Sequence, residues 1–565
     1  MTGMTLAEAS AHLTSTDPRF ELTTANIRGV NYRTFKNAPS HLRALLQASR
    51  PAHGDGQNEY LVYRDERWSY DAFCADVRKM AHLLQAELGV QQGDRVALAM
   101  RNYPELPILM MAITSLGAVV VFLNAWWTSE ELEYALTDSA AMLVFADGPR
   151  FERIAALGGK APRMVGLRDA PTSGGSYGDY LANAPDTDWP DADIHTDDDM
   201  AVMYSSGTTG HPKGVVQTHR GAISAVYTWA MSMLLPGLMA DPNDPPAPDP
   251  GPQAILIVTP LFHVTATHPM LLLSLPLGSK LVLLHKWDAA EAVDTIEREN
   301  ITRFLGVPTQ SADLMQAAKR MGRSLNGLQY VGAGGAKRPA AQVGQLQNAF
   351  PKATVASGWG MTETNAVGLG IAGPDYVDKP AAAGRLLPPV QDLKILDDNG
   401  TEAPMGDIGE LTVKSPANMR CYLNKPDATA EVFQDGWLRT GDLATIDADG
   451  YVTIVDRKKN IIIRGGENIA CLDVEGALHK HPAVLEAGAF SVPDERLGET
   501  VGVGITLNTG EIADAETLRS FLKDHIAHFK IPDHFWFLDT PLPRGATDKI
   551  DRRVLQHNCL AKDKT

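Results

Sequence analysis

Most of the first 450 residues alternate helical-period amphipathic stretches with short runs of consecutive apolar residues. The runs Arg95-Val96-Ala97-Leu98-Ala99, Met142-Leu143-Val144-Phe145 and Ala254-Ile255-Leu256-Ile257-Val258 are strand-length and apolar on both faces. Such strands separated by helices predict βαβ units and mainly parallel sheets. The longest apolar stretch, Pro107 to Leu123, is split by Ser115 and Gly117 into a helix-like half and a β-branched half. It reads as a buried helix and then a buried strand, not a membrane span. Met270 to Leu284, broken by Pro276, Gly278 and Lys280, reads the same way. Two segments, Pro171 to Asp199 and Pro236 to Pro252, carry the Pro, Asp and Gly content of loops.

From about Gln391 the pattern changes. Strands at Leu393–Leu396, Gly409–Val413 and Tyr451–Val455 are separated by the turn sequences Asp398-Asn399-Gly400 and Asp447-Ala448-Asp449-Gly450. That predicts a β-rich unit. A charged block, Asp456-Arg457-Lys458-Lys459-Asn460, precedes a further hundred or so residues of alternating helix and strand. The expected organisation is α/β: a large N-terminal domain, 1–456, of βαβ subdomains plus a β-rich subdomain, then a small mobile α+β domain, 457–565.

At 565 residues the chain is long enough for several cores and needs no covalent staples. Its net charge of −17 argues against a nucleic-acid or anionic-membrane binder. Four scattered cysteines without a CxxC pair argue against a disulfide framework or zinc ribbon, and fit a reducing, cytoplasmic setting. No secretory, peroxisomal or prenylation signal is legible at either end.

The strongest chemical signal is Met203-Tyr204-Ser205-Ser206-Gly207-Thr208-Thr209-Gly210-His211-Pro212-Lys213-Gly214. Its glycines permit close backbone approach, its hydroxyls and N–H groups suit anionic oxygens, and Lys213 adds a charge. It is not a Walker A loop. Here the sequence resembles the acyl- and aryl-CoA synthetase branch of the adenylate-forming superfamily, which also holds firefly-type luciferases and peptide-synthetase adenylation domains. The family's other motifs recur in order along nearly the whole chain.

The resemblance implies a nucleotide site made of Ser205, Ser206, Gly207, Thr208, Thr209, Gly210 and Lys213, of Gly334, Gly335 and Ala336 in Tyr330-Val331-Gly332-Ala333-Gly334-Gly335-Ala336, and of Gly358, Trp359, Gly360, Met361 and Thr362. Trp359 suits stacking on a purine. Glu363, with Thr208, is the candidate Mg²⁺ contact, since that ion takes few carboxylates beside substrate phosphates. Asp442, after what reads as a tight turn, resembles the ribose ligand, and Arg457 its neighbour. Lys549 resembles the catalytic lysine, preceded by Asp548 where the family usually has Gly. Thr208, Lys213 and His263 complete the catalytic candidates.

Lys459 occupies the hinge position, and Gly465-Gly466 resembles the turn lining the pantetheine tunnel. Arg464, Lys530, Arg552 and Arg553 are candidates for the CoA 3′-phosphate. The acyl pocket is expected at His263, Val264, Thr265, Val307, Gly358 and Gly360, mostly small or apolar. Gly360 stands where acetate-using relatives carry a pocket-shortening Trp. The implied activity is ATP-dependent ligation of a carboxylic acid to CoA through an acyl-adenylate. A medium- or long-chain fatty acid is expected; an aryl acid, or a carrier-protein acceptor, is the alternative. ATP, Mg²⁺ and CoA are the implied cofactors and co-substrates, and a homodimer is compatible with the family.

Overall fold

The computed structural model describes residues 3–171, 176–184, 187–205, 212–241, 243, 251–545 and 549–562. Two large sheets share one core. The first has the order Cys421–Tyr422, Lys213–Thr218, Asp199–Ser205, Val119–Phe122, Arg95–Ala99, Leu143–Asp147, Arg163–Leu167. From Asp199–Ser205 onward its neighbours are parallel. The second runs Arg385–Leu386, Leu369–Ala372, Thr354–Trp359, Tyr330–Ala333, Arg303–Gly306, Ala254–Ile257, Lys280–Leu283, Glu59–Tyr63, Glu66–Ser69, parallel in the middle and antiparallel at both edges.

Period-2 alternation decides which side of the second sheet each residue serves. Ile255 and Ile257 join the core shared with the first sheet. Leu256, Phe304, Val331 and Val355 join a separate core against the helices Ala289–Arg298, Pro308–Arg320 and Ala340–Ala349. The Pro107–Leu123 stretch folds as anticipated, as the buried helix Glu105–Thr114 and strand Val119–Phe122. One stretch, His219–Met239, is long and apolar enough to cross a membrane by length and composition. In the fold its first helix, His219–Ser232, buries nine residues in the protein interior.

The segment Pro171 to Asp199 departs from the expected loop. It contains the helix Tyr177–Asn183, capped by Ser176, whose hydroxyl accepts from the Asp179 N–H. Cap chemistry and the buried Tyr177 outweigh the flanking turn residues. In Pro236 to Pro252, Leu235–Met239 is helical, and residues 242 and 244–250 lie outside the described residues.

A third sheet follows the sequence expectation. Asp392–Leu396, Gly409–Lys414 and Trp437–Ile446 are antiparallel neighbours, and Val452–Arg457 pairs with Trp437–Ile446. Beyond the charged block lies a last sheet of Ile462–Arg464, Glu467–Ile469, Val484–Asp494, Gly498–Leu507 and His534–Phe537, with its own core. Its helix Cys471–Leu478 is tied back to the third sheet by the buried Asp456. One Asp456 oxygen accepts from the Leu472 N–H at 3.0 Å, the other from the Arg457 N–H at 2.7 Å.

Candidate active site

Asp442 is placed by a bulge, not by the tight turn its sequence suggested. It lies within the strand Trp437–Ile446, where pairing to Gly409–Lys414 slips between Glu410 and Thr412. Thr440 props the bulge: its hydroxyl donates to Leu411 O (2.7 Å) and accepts from the Asp442 N–H (3.1 Å). Gly441, at φ +72°, supplies the left-handed residue. A bulge re-aims a side chain that regular alternation would fix.

The buried Asp442 carboxylate takes the Arg457 Nε–H at 2.5 Å and the Trp359 Nε1–H at 2.8 Å. Arg457 stands opposite in register on the neighbouring strand. Burial pushes the Asp442 pKa up; Arg457, Trp359 and Lys549 pull the other way. Trp359 therefore orients the acidic residue, a tie that its motif alone did not reveal.

Glu363 sits in the short 3-10 turn Thr362–Thr364 and is buried. It accepts the Tyr422 hydroxyl at 2.8 Å. Lys213 Nζ lies 4.7 Å from the centroid of the same Tyr422 ring. Tyr422 thus joins Glu363 to the end of the phosphate loop, and no local motif marks it. Of that loop, Ser205 and Lys213 pair in register across the two antiparallel strands that flank it. Ser206, Gly207, Thr208, Thr209, Gly210 and His211 lie outside the described residues.

Gly360 has a reason different from the one its sequence position suggested. A Cβ there would lie 2.0 Å from Ala366 O and 2.4 Å from Ala366 C. Close backbone approach at the Met361–Ala366 turn requires the glycine, whatever the width of the acyl pocket. Asn365 (φ +50°) and Ala366 (φ +63°) complete that turn. Asn365 donates to Ala417 O at 2.6 Å, and its carbonyl takes the His268 Nε2–H at 2.8 Å.

The small-residue turn after Tyr330–Ala333 is where the C-terminal unit meets the large one. Gly335 has φ +78°, and a Cβ on it would touch Lys549 Cε (3.6 Å), Thr265 Oγ1 (3.7 Å) and Val307 Cγ1 (3.8 Å). A Cβ on Gly334 would meet Thr265 Cγ2 at 3.3 Å. Thus Lys549, Gly334, Gly335, Thr265 and Val307, taken from four separate stretches, converge on one cleft. The Gly545 N–H donates to Lys549 O at 2.8 Å. Asp548 lies outside the described residues. Burial and the Arg457 charge lower the Lys549 pKa to about 8, while Asp442 and Glu363 oppose the shift.

His263 caps the turn of helix Val264–Ala266 by accepting the Thr265 N–H at its Nδ1, 3.3 Å. Burial, then the Lys549 charge, lowers its pKa to about 3. The ring is therefore neutral near pH 7 and carries its proton on Nε2, a donor and not an acid. Val264, next to Thr265, is buried in the shared core.

Lys459 is exposed in the 3-10 turn Lys458–Asn460 that joins the third sheet to the last one. Gly465 and Gly466 (φ +59° and +92°) form the hairpin turn of the last sheet, where Gly465 N–H donates to Leu497 O. Three of the proposed CoA cations are engaged within their own unit. Arg552 pairs with the buried Glu475, Lys530 with Asp473, and Arg464 with Asp533. Arg552 is the most firmly held of the three, because its partner Glu475 is buried whereas Asp473 and Asp533 are more exposed.

The family model described as AMP-binding enzyme matches residues 48–423. That described as AMP-binding enzyme C-terminal domain matches residues 473–549. A 2-succinylbenzoate–CoA ligase of Bacillus licheniformis is 32% identical over 496 residues, 88% of this chain and 96% of the relative. A long-chain-fatty-acid–CoA ligase of Bacillus subtilis is 30% identical over 535 residues, 88% of this chain and 90% of the relative. Among solved structures, an O-succinylbenzoate coenzyme A synthetase from Bacillus subtilis, in complex with ATP and magnesium ion, superposes with a TM-score of 0.77 at 27% identity. It spans 91% of this chain and 99% of its own.

Proposed function

This chain belongs to the AMP-binding enzyme family and is an AMP-forming acid–CoA ligase, and on that premise we propose how its residues divide the work. Lys549 in the cleft beside Gly335 carries the reading, because it brings a cation from the C-terminal unit to a turn that also faces Thr265 and Val307. ATP and CoA are substrates. The acid's carboxylate oxygen attacks the ATP α-phosphorus, and the bond to the bridging oxygen of pyrophosphate breaks. Lys549 offsets the charge that builds on the transferring group, where preorganised charge acts most strongly. Lys213 and the 205–214 loop hold the leaving pyrophosphate. Asp442, oriented by Trp359 and Arg457, takes the ribose hydroxyls.

The donor set fits Mg²⁺. Glu363 offers one carboxylate, already oriented by Tyr422, and such an ion completes its shell with phosphate oxygens and water. Among the described residues no group of three or more His, Cys, Asp or Glu could hold a metal alone. Thr208, the other candidate contact, lies outside the described residues. Bound there, the ion neutralises phosphate charge.

In the second half-reaction the CoA thiolate attacks the acyl carbonyl and AMP leaves. His263, neutral with an Nε2–H, is assigned to orient the acyl group instead of moving a proton. We divide the chain into a large unit, 1–456, and a small one, 457–565, turning about Lys459. The turn withdraws Lys549 and brings Gly465-Gly466 to the pantetheine.

A fatty acid of medium or long chain was the expectation from sequence. The geometry favours a compact acid, such as an aryl acid. A Cβ on Gly332 would lie 2.5 Å from Tyr330 Cε1 and 2.8 Å from Leu305 Cδ1, so these side chains crowd the sheet face below Gly334. The test is acid-dependent ATP–pyrophosphate exchange over a panel of aliphatic and aryl acids, then thioester formation with CoA or a carrier protein. Lys549→Ala is expected to slow exchange about 10²–10³-fold. Full-speed exchange in that variant would remove the reading.

A further inference from the structure

Two polar side chains lie on the inter-sheet face, below the cleft, and the mechanism uses neither. Arg303 and Tyr330 are register partners at the starts of the neighbouring strands Arg303–Gly306 and Tyr330–Ala333. Those strands end at Gly306 and Ala333, just before Val307 and Gly334 of the cleft. Strand alternation puts Arg303, Leu305 and Val307 on one face, and Tyr330, Gly332 and Gly334 beside them. That face is the one turned toward the first sheet: Ile255, in register with Arg303, lies in the shared core, and Leu305 packs against it. Phe304 and Val331 point the other way.

Leu305 is only partly buried between the buried Phe304 and Gly306, and Tyr330 and Arg303 are partly buried as well. The Tyr330 ring leans toward the cleft. Its hydroxyl would lie 3.0 Å from a Cβ on Gly332. The Arg303 guanidinium carbon lies 4.2 Å from the ring centroid. Among the described residues, no carboxylate pairs with Arg303, and neither Arg303 nor Tyr330 makes a side-chain hydrogen bond. Burial lowers the Arg303 pKa, with only the Tyr330 ring opposing that shift.

A largely desolvated guanidinium held by a ring face alone leaves most of its donors unspent. A compact apolar acid would keep it so. An acid with an anionic far end would satisfy it, and bidentate pairing suits a carboxylate best. From Gly334 to Gly332 is two strand residues, roughly 7 Å at about 3.3 Å each. The geometry points to Arg303 and Tyr330 as the specificity-determining floor of the acyl pocket, gripping a second carboxylate at the far end of the substrate. The substrate class is therefore a compact dicarboxylic acid, aliphatic or aryl, activated at one end only. This deepens the ligase reading and rests on it.

The test uses the full-length enzyme and acid pairs of matched length: hexanoate with hexanedioate, octanoate with octanedioate, and 4-phenylbutanoate with its carboxyphenyl counterpart. ATP–pyrophosphate exchange gives kcat/KM for each. We expect the diacid of at least one pair to be preferred about tenfold or more. Arg303→Met is expected to cut that diacid-to-monoacid ratio about thirty-fold or more, chiefly through KM for the diacid. Arg303→Lys, which keeps the charge but loses the fork, should fall between, and Tyr330→Phe should lower the ratio about three- to tenfold. The unsubstituted enzyme's preference is read without any variant, so a misfolded variant does not shelter the proposal. Preference for the monoacid in every pair, or a ratio unchanged in folded Arg303→Met, would overturn it while leaving the ligase reading intact. Absence of exchange with every acid would overturn both.

Discussion

Lys549 shows how much one side chain's surroundings decide. Burial and Arg457 bring its pKa to about 8, against an ordinary lysine near 10.4. It is cationic below that value and neutral above it. Its contribution to adenylation is therefore complete in acidic and neutral solution and lost as pH rises through 8. In the free enzyme kcat/KM for ATP should fall on that basic limb. Lys549→Arg, with a guanidinium that stays charged, should push the limb out of range, and pyrophosphate-exchange profiles from pH 6 to 10 would show it. His263, lowered to about 3, should add no limb between pH 5 and 9. An acidic limb near the ordinary histidine value, lost in His263→Asn, would count against its assignment as a neutral donor.

Among elements, the turn Met361–Ala366 couples several parts of the site. Gly360 is pressed against Ala366 O, Asn365 spans to Ala417 and His268, and Glu363 is held by Tyr422. Gly360→Ala forces a 2.0 Å contact to open, an overpacking cost of about 1–3 kcal/mol. We expect a lower urea midpoint and weaker ATP binding together, measured by denaturation and by calorimetric titration. An unchanged midpoint would mean that the turn relaxes freely. The bulge at Thr440–Asp442 makes the same point. Its residues were recognisable one by one, but the slip against Glu410 and Thr412 that aims Asp442 exists only in the paired sheet.

For the whole molecule, the arrangement is one of two that the proposed mechanism requires. The C-terminal unit delivers Lys549 to Gly335 while the Gly465–Gly466 turn packs on Leu497, in the turn between Val484–Asp494 and Gly498–Leu507. Lys459→Pro, in the exposed 3-10 turn, fixes φ near its helical value. It should leave ATP–pyrophosphate exchange within about threefold, and slow CoA-dependent turnover tenfold or more if reorientation limits it. Equal loss in both half-reactions would argue against a hinge at this residue. The Asp456 strap to Leu472 N–H is the contact that such a turn must keep or break.

The chain's own pattern determined the βαβ organisation, the change to antiparallel strands near Gln391 and the glycine turns at Gly335 and Gly465–Gly466. These are local properties: apolar period, turn composition and motif spacing act over a few residues and survive without the rest of the fold. What lay beyond reach were the pairings. Tyr422 with Glu363, Trp359 with Asp442, Asp456 with Leu472 and Arg303 under Tyr330 join stretches or strands that no local periodicity connects. The burial that neutralises His263 and softens Lys549 arises only when two units close over one cleft. Solvent exclusion and electrostatic proximity are properties of the assembled volume, so only the tertiary structure could decide them.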